Sequence, residues 1–377
     1  MSPQPNRFAN HVPDILDCLA QLSNDEVPTP PQLAKNMLDL LPNEVWHRPD
    51  YTWCDPFSKS GVFLREAAAR LLDGLADWEP DFVKRREHIL RNMLFGTSIT
   101  EMTGIISRRT VYCSADASST HSVVRFDDSD GNLPFVQAEH EFDAKGKCRA
   151  CGAPSDLERG EHRENHAYSF IHGAYPTKEM ANMKFDVIVG NPPYQLEDGG
   201  HNASAIPIYQ HFVEQAIELA PKYVVMITPS RWFAGGRGLD GFRALMLHDG
   251  RIRHLVDYPK LYDAFPGVKI RGGVSYFLWD RDNAGPCSVQ TMWDGEPIGP
   301  AMSRRLDTYD VLVRRNEAVS VLEKVRAYRV AGAPEAMLRD KVSGGKPFGL
   351  RTYFHGADTP TGMAQPVTLY GLSLIHI

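Results

Sequence analysis

A doubly wound α/β fold with a mostly parallel sheet is what this chain predicts, on three observations. Short runs rich in β-branched and aromatic residues alternate with stretches of helical apolar spacing. Pro-, Ser- and Gly-rich turns stand where strand should pass into helix. The rhythm breaks between residues 113 and 183, where the chain turns polar and irregular, and then resumes. With 377 residues, 42% apolar and 23% charged, the chain is long enough for one elaborated α/β domain or for two domains.

The elements follow in order. "TPPQLAKNMLDLLP" places proline at a helix start and then Leu33, Met37, Leu40 and Leu41 on one face. "YTWCDPFSKSGVFLREAAARLLDGL" reads as a short aromatic strand, a turn and a strong helix. A second such unit runs through "HILRNMLFGTSI" into the helix "TEMTGIISRRTVY", with Thr100 and Glu101 as capping residues. After the break come the strand "KFDVIVG", the helix "IYQHFVEQAIELA", the strand "KYVVMITPS", the helix "LDGFRALMLHDG" and the strand "RIRHLVDYP". "GGVSYFLWDR" and "CSVQTMW" are expected as late strands of antiparallel type, and "NEAVSVLEKVRAY" as a helix. Beyond about residue 330 the chain is rich in Gly and Pro. It ends on "YGLSLIHI" without a cap or polar tail, so a partial C-terminal region is expected.

Bulk properties narrow the function classes. No stretch approaches the roughly 18 uncharged apolar residues of a membrane span, and "MSPQPNRFANHVPD" lacks the apolar run of a signal peptide. A cytoplasmic protein without membrane contact is expected. The formal net charge of −6 means that nucleic-acid binding would need its cations gathered on one face. Cys18, Cys54, Cys113, Cys148, Cys151 and Cys287 are too few and too scattered for a secreted disulfide scaffold, but Cys148 and Cys151 form a CxxC pair.

In doubly wound sheets ligands sit beyond the carboxyl ends of the strands, and two motifs fall there. In "DPFSKSG", Ser58, Ser60 and Gly61 permit close approach to the backbone, Asp55 can accept from an amine, and the next helix offers free N–H groups. It is not a phosphate-binding GxGxxG loop, and alone it reads equally well as a plain strand-to-helix turn. In "FDVIVGNPPYQ", Pro192 and Pro193 fix the backbone and cannot donate, so the carbonyls of Asn191 and Pro192 and the Asn191 side chain form a set of acceptors. Such a set suits an exocyclic amine, whose two protons it would hold while the nitrogen attacks an electrophile. Tyr194 adds a flat surface for stacking a base turned out of its duplex. The competing reading is a tight turn that closes the strand.

These residues resemble S-adenosylmethionine-dependent amino methyltransferases, most closely the adenine-N6 DNA methyltransferases of restriction-modification systems. The resemblance covers about residues 20 to 280 and has the motif order of the gamma class, carried by "TPPQL", "DPFSKSGVFL", "NPPY" and "VVMITPSRWFAGG". It implies a Rossmann-like methyltransferase fold that binds S-adenosyl-L-methionine. Thr29 and Pro30 would cover the methionine end of that cofactor, Asp55 with the Pro56 turn would bind its amino group, and Gly61 would permit close approach. Asn191, Pro192, Pro193 and Tyr194 would hold and stack the flipped adenine. Two departures stand out. The loop lacks the family's second glycine, and Ser98 stands where an acidic residue usually binds the ribose. Glu101 is the substitute carboxylate or simply a capping residue, and Asp116 in "CSADAS" resembles the acid that contacts the cofactor's adenine.

The resulting division is a leader (1–28), a cofactor-binding half (29–112), an insertion (113–183), a catalytic half (184–285) and a partial target-recognition region (286–377). In the insertion, "GKCRACGA" has the spacing of a structural zinc half-site. Cys113 and His140 are the expected further ligands, with His121, His162 and His166 as alternatives. A thioredoxin-like redox pair should instead open a helix of a βαβ unit. For double-stranded DNA the candidate phosphate contacts are Lys84, Arg85, Arg86 and Arg91; Arg251 and Arg253; and Lys260, Lys269 and Arg271, interleaved with Tyr258, Tyr262 and Phe265. Other readings are a methyltransferase acting on RNA or protein glutamine, and an inactive methyltransferase-fold module that only binds DNA. A cognate restriction endonuclease is the expected partner. No PD…ExK nuclease pattern precedes the motifs, and the short leader leaves no room for a nuclease domain.

Overall fold

Strands and helices alternate as the sequence requires in a computed structural model of the chain, which describes residues 27–327 apart from 99, 154, 156–166, 174–183, 197–205, 237 and 267–271, together with 359, 361–362, 368–370 and 374–376. The strands are β1 (Trp53–Ser58), β2 (Leu94–Ser98), β3 (Gln137–Ala138), β4 (Ala167–Tyr168), β5 (Val187–Gly190), β6 (Gln195–Leu196), β7 (Ile206–Pro207), β8 (Tyr223–Pro229), β9 (Ile252–Tyr258), β10 (Val274–Asp280), β11 (Cys287–Trp293), β12 (Glu296–Pro297), β13 (Met302–Arg304), β14 (Thr368–Tyr370) and β15 (Leu374–His376). The α-helices are α1 (Pro31–Leu38), α2 (Val62–Gly74), α3 (Phe82–His88), α4 (Glu101–Tyr112), α5 (Ser169–His172), α6 (Tyr209–Glu218), α7 (Asp240–His248), α8 (Leu261–Ala264) and α9 (Asn316–Ala327).

Among the described residues nine strands form one sheet in the order β12-β11-β9-β10-β8-β5-β1-β2, with β13 also on β11. β2, β1, β5 and β8 run parallel, and β10 inserts antiparallel between β8 and β9. The sheet carries a core on each face, and strand alternation decides which residue goes where. Trp53, Val187, Val189, Val225 and Ile227 face a cluster built with α1, α2 and α4. Their neighbours Cys54, Ile188, Val224 and Met226 face the other cluster, with Phe212 of α6 and Phe242 of α7.

The structure corrects four expectations. β11 is parallel to β9, so the sheet runs past the boundary drawn at residue 285 and reaches Arg304 through β13. Its antiparallel partners are β12 and β13. The stretch after residue 113 also returns to the sheet: Gly96 and Ser98 of β2 donate backbone hydrogen bonds to the carbonyls of Asn132 and Pro134. Two bonds beside a proline leave no alternation to read, which is why the sequence hid this edge. At α4, Thr100 is the N-cap as expected, but Thr103 closes the capping box and Glu101 stays exposed.

Residues 321–377 form a second unit by contact, holding the last turns of α9 and the β14–β15 hairpin. No helix among the described residues is long and apolar enough to cross a membrane.

Candidate active site

β1 and β5 are adjacent and parallel, so the two motifs that follow them emerge side by side at the carboxyl edge of the sheet. Thr29, Asp55, Phe57, Lys59, Ser60, Gly61, Val62, Phe63 and Asn191 line one cleft there. Close packing makes the juxtaposition. A Cβ on Gly190 would lie 2.3 Å from the Phe57 ring and 2.9 Å from Asp55 Oδ1, so only glycine lets β5 sit against the β1 turn. Gly61 caps α2 with φ +73°, the left-handed region that turns the chain into the helix.

Asn191 is buried and oriented by the segment before α1. Its Nδ2 donates to the Val27 carbonyl and to Thr29 Oγ1, each at 3.2 Å. A carbonyl can only accept, which fixes the amide with its nitrogen toward Val27. Oδ1 is thereby aimed away, buried and, among the described residues, without a hydrogen-bond partner. A buried acceptor left unpaired costs about 1–3 kcal/mol, and a ligand donor at this position would recover it. The Thr29 segment and the NPPY turn are thus in direct contact.

Asp55 is 3% exposed. Burial pushes its carboxyl from 3.8 up to about 7, offset in part by the Phe57 N–H, the Lys59 charge and Ser58. A cation entering the cleft would favour the ionised form, which suits an ammonium ligand. Lys59, itself buried, already supplies one positive charge here. Sequence reading missed it because a lysine in a turn ordinarily points to water. Pro56 acts through its carbonyl, which accepts from Thr97 Oγ1 at 2.7 Å and ties β1 to β2. The cleft has a volume of about 10 Å³, room for one water, so the side chains of its walls must move to admit a larger molecule.

The other site residues lie around this centre. Pro30 caps α1, and Pro192 and Pro193 are buried. The Tyr194 ring packs against the first core cluster and is half-buried, with its hydroxyl buried and without a partner among the described residues. Burial raises that hydroxyl's pKa. Glu101 and Asp116 do not line the cleft. Glu101 is exposed just after β2, and Asp116 is held by the backbone N–H and hydroxyl of Ser118, which lower its pKa.

Cys113 does not join the expected metal cluster. It is the exposed, left-handed C-cap of α4, whereas His140, Cys148, Cys151 and His172 bring one ligand atom each within 4.8 Å of one another. His172 was overlooked; its signal was a histidine closing the apolar "YSFIH" turn ahead of Gly173. His162 and His166 lie outside the described residues, as do Lys269 and Arg271. Of the basic candidates, Arg85 is buried and Arg251 pairs with Asp249 over Trp279. Arg251 and Arg253 sit at the amino end of β9, the edge of the sheet opposite NPPY. Lys260 stands at the carboxyl edge, 4.0 Å from the Trp293 ring centroid and ion-paired with Asp294. Ser230, Asp257 and Arg314 form a further group at that edge: Arg314 grips the buried Asp257 through two nitrogens at 2.7 Å, and Ser230 donates to it at 2.8 Å.

Comparison with known proteins bears on these arrangements. The family model described as Eco57I restriction-modification methylase matches residues 92–265. An "uncharacterized adenine-specific methylase" of Mycoplasma pneumoniae is 34% identical over 338 residues, covering 82% of this chain and 78% of its own. Among solved structures, the ATP-dependent Type ISP restriction-modification enzyme LlaBIII bound to DNA aligns with 13% identity and a TM-score of 0.46 over 71% of this chain. A modification subunit of a putative type I restriction enzyme from Vibrio vulnificus aligns with 13% identity and a TM-score of 0.44 over 82% of it. The chain spans 20% and 54% of the length of those two structures.

Proposed function

The chain belongs to the adenine-specific methylase family, and we propose that the cleft between β1 and β5 is where it methylates the exocyclic N6 of adenine in duplex DNA. The use of S-adenosyl-L-methionine is general in this family. When bound, that cofactor supplies a methyl group on a sulfonium, already electrophilic enough that the amine needs no prior deprotonation. Asp55 binds and orients the cofactor's ammonium, and Thr29 and Pro30 cover the same end. Gly61 and the α2 N-terminus allow backbone approach. Glu101, exposed at the start of α4 just after the neighbouring strand β2, is the carboxylate assigned to the ribose.

The observation that carries the reading is the orphaned Asn191 Oδ1, beside a buried carboxylate and fixed by the Thr29 segment. That oxygen accepts a hydrogen bond from one N–H of the amine and the Pro192 carbonyl accepts one from the other, which orients the nitrogen lone pair toward the methyl group; the methylated nitrogen then releases one proton to water. The target adenine must leave its duplex to reach the cleft, and the Tyr194 ring is the surface for it once the site opens. Residues 29–112 would then serve the cofactor and the segment from 184 the base, with the sheet carried on to residue 304. A second reading, a module that binds DNA without turnover, is favoured by the narrow cleft and by Lys59 beside Asp55.

Labelled S-adenosylmethionine offered with duplex DNA, ribosomal RNA and a release-factor-like protein separates these readings. Label is expected in DNA adenine. Asn191→Ala should lower the rate by about 10²–10³, the effect of deleting one oriented polar group, while cofactor affinity stays within a few fold. Label elsewhere, or none in any substrate, refutes the proposal.

A further inference from the structure

The group His140, Cys148, Cys151 and His172 takes no part in that chemistry, yet it has the form of a finished metal site. Two thiols and two imidazoles are the donor set that selects zinc among common divalent ions. Tetrahedral zinc with bonds of about 2.3 Å to sulfur and about 2.0 Å to nitrogen sets neighbouring S and N roughly 3.5 Å apart. Cys148 Sγ lies 3.3 Å from His172 Nε2, and Cys151 Sγ lies 3.4 Å from His140 Nδ1. The backbone sustains the geometry. Cys148 N–H donates to the Ala153 carbonyl and Gly152 N–H to the Cys148 carbonyl, which folds the two thiols onto one side of a tight knuckle. His172 Nδ1 sits 2.9 Å from the Tyr168 carbonyl. That contact places the ring proton on Nδ1 and leaves the Nε2 lone pair toward Cys148, the outer-shell arrangement that metal-bound histidines show.

We propose that these four residues bind one zinc ion, and that the ion holds a wall of the active-site cleft in place. The ligands come from three short segments: the turn after β3, the knuckle and α5. Among the described residues they give the second core cluster only Cys148, Cys151, Ala153 and Phe170 as buried members. So small an apolar contribution does not fix such a segment, and a metal crosslink does. The crosslink ends on α5, two residues after Phe170. The Phe170 ring meets Phe57 edge-on at 6.0 Å, and Phe57 meets Phe212 edge-on at 5.5 Å. Phe57 lines the cleft, packs under Gly190, and carries the N–H that donates to Asp55. Zinc occupancy therefore sets the position of Phe57 and, through it, the affinity of the cleft for its cofactor. This second half rests on the methylase reading; the metal site does not.

The test uses the full chain purified without chelator. One zinc per chain is expected by elemental analysis, and cobalt(II) exchanged into the site should give the strong visible bands of a tetrahedral thiolate complex. Cys148→Ser/Cys151→Ser and His172→Ala should lose the metal, and Cys113→Ser should keep it. A parent that retains no zinc after zinc chloride is supplied and the excess removed, or that gives the weak spectrum of six-coordinate cobalt, overturns the site whether or not the variants fold. For the coupling, Phe170→Ala should retain zinc and bind S-adenosylhomocysteine about three- to tenfold more weakly, the worth of one edge-on ring pair. Retained zinc with unchanged affinity overturns the coupling. A parent that holds zinc but binds no S-adenosylhomocysteine refutes the methylase reading, and the coupling with it, and leaves the metal assignment standing.

Discussion

Asp55→Asn separates the stability role of the cleft's carboxylate from its ligand-binding role. Asparagine keeps the shape and the acceptor for the Phe57 N–H and removes the titration. In the protein the carboxyl is pushed up to about 7 from 3.8, chiefly by burial. In the ligand-free native state Asp55 thus keeps its proton through the acid range, while the unfolded chain releases it near pH 4. Stability linked to this group is full below pH 4 and is lost as the pH climbs toward 7, at about 1.4 kcal/mol per pH unit and about 4 kcal/mol in all. Urea unfolding of both proteins at several pH values reads the effect. The stability of Asp55→Asn minus that of the parent should rise by about 2 kcal/mol between pH 5 and pH 7 and level off by pH 8. Groups common to both proteins cancel in the difference. Cofactor affinity should move the opposite way: the parent binds more tightly as the pH rises through 7, while the variant binds weakly throughout. A difference in stability that stays flat from pH 5 to pH 8 would refute the account of a desolvated carboxylate awaiting a cation.

Three further outcomes follow from the same geometry. Tyr194→Phe removes a buried hydroxyl that has no partner among the described residues, so thermal unfolding should show it equal to or up to about 1–2 kcal/mol more stable than the parent with methylation retained, whereas Tyr194→Ala should lose activity. Gly190→Ala drives a methyl group into Phe57 and Asp55; a loss of about 1–3 kcal/mol in denaturant unfolding, with weakened cofactor binding, is expected. Arg314→Ala strands Asp257, which is 1% exposed, and should cost about 3–5 kcal/mol in the same assay, largely restored when Asp257→Asn is added.

What the sequence determined by itself was whatever depends on local order. Strand alternation divided Trp53 from Cys54 and Val187 from Ile188 between two cores, because a strand's side chains can only alternate. The two-residue spacing of Cys148 and Cys151 marked a tight turn that brings two thiols together, and "NPPY" after an apolar run marked the turn beyond β5. Tertiary structure decided whatever depends on pairing across distance. It put His172, not Cys113, beside Cys148 and Cys151, because α5 folds back on the knuckle while the end of α4 does not. It set β11 parallel to β9, and it buried Lys59 beside Asp55. The motif pointed to the Asn191 side chain, but it is the backbone at Val27, 164 residues earlier in the chain, that fixes which way its amide faces. Such choices are made by packing between segments that carry no mark of one another in the sequence.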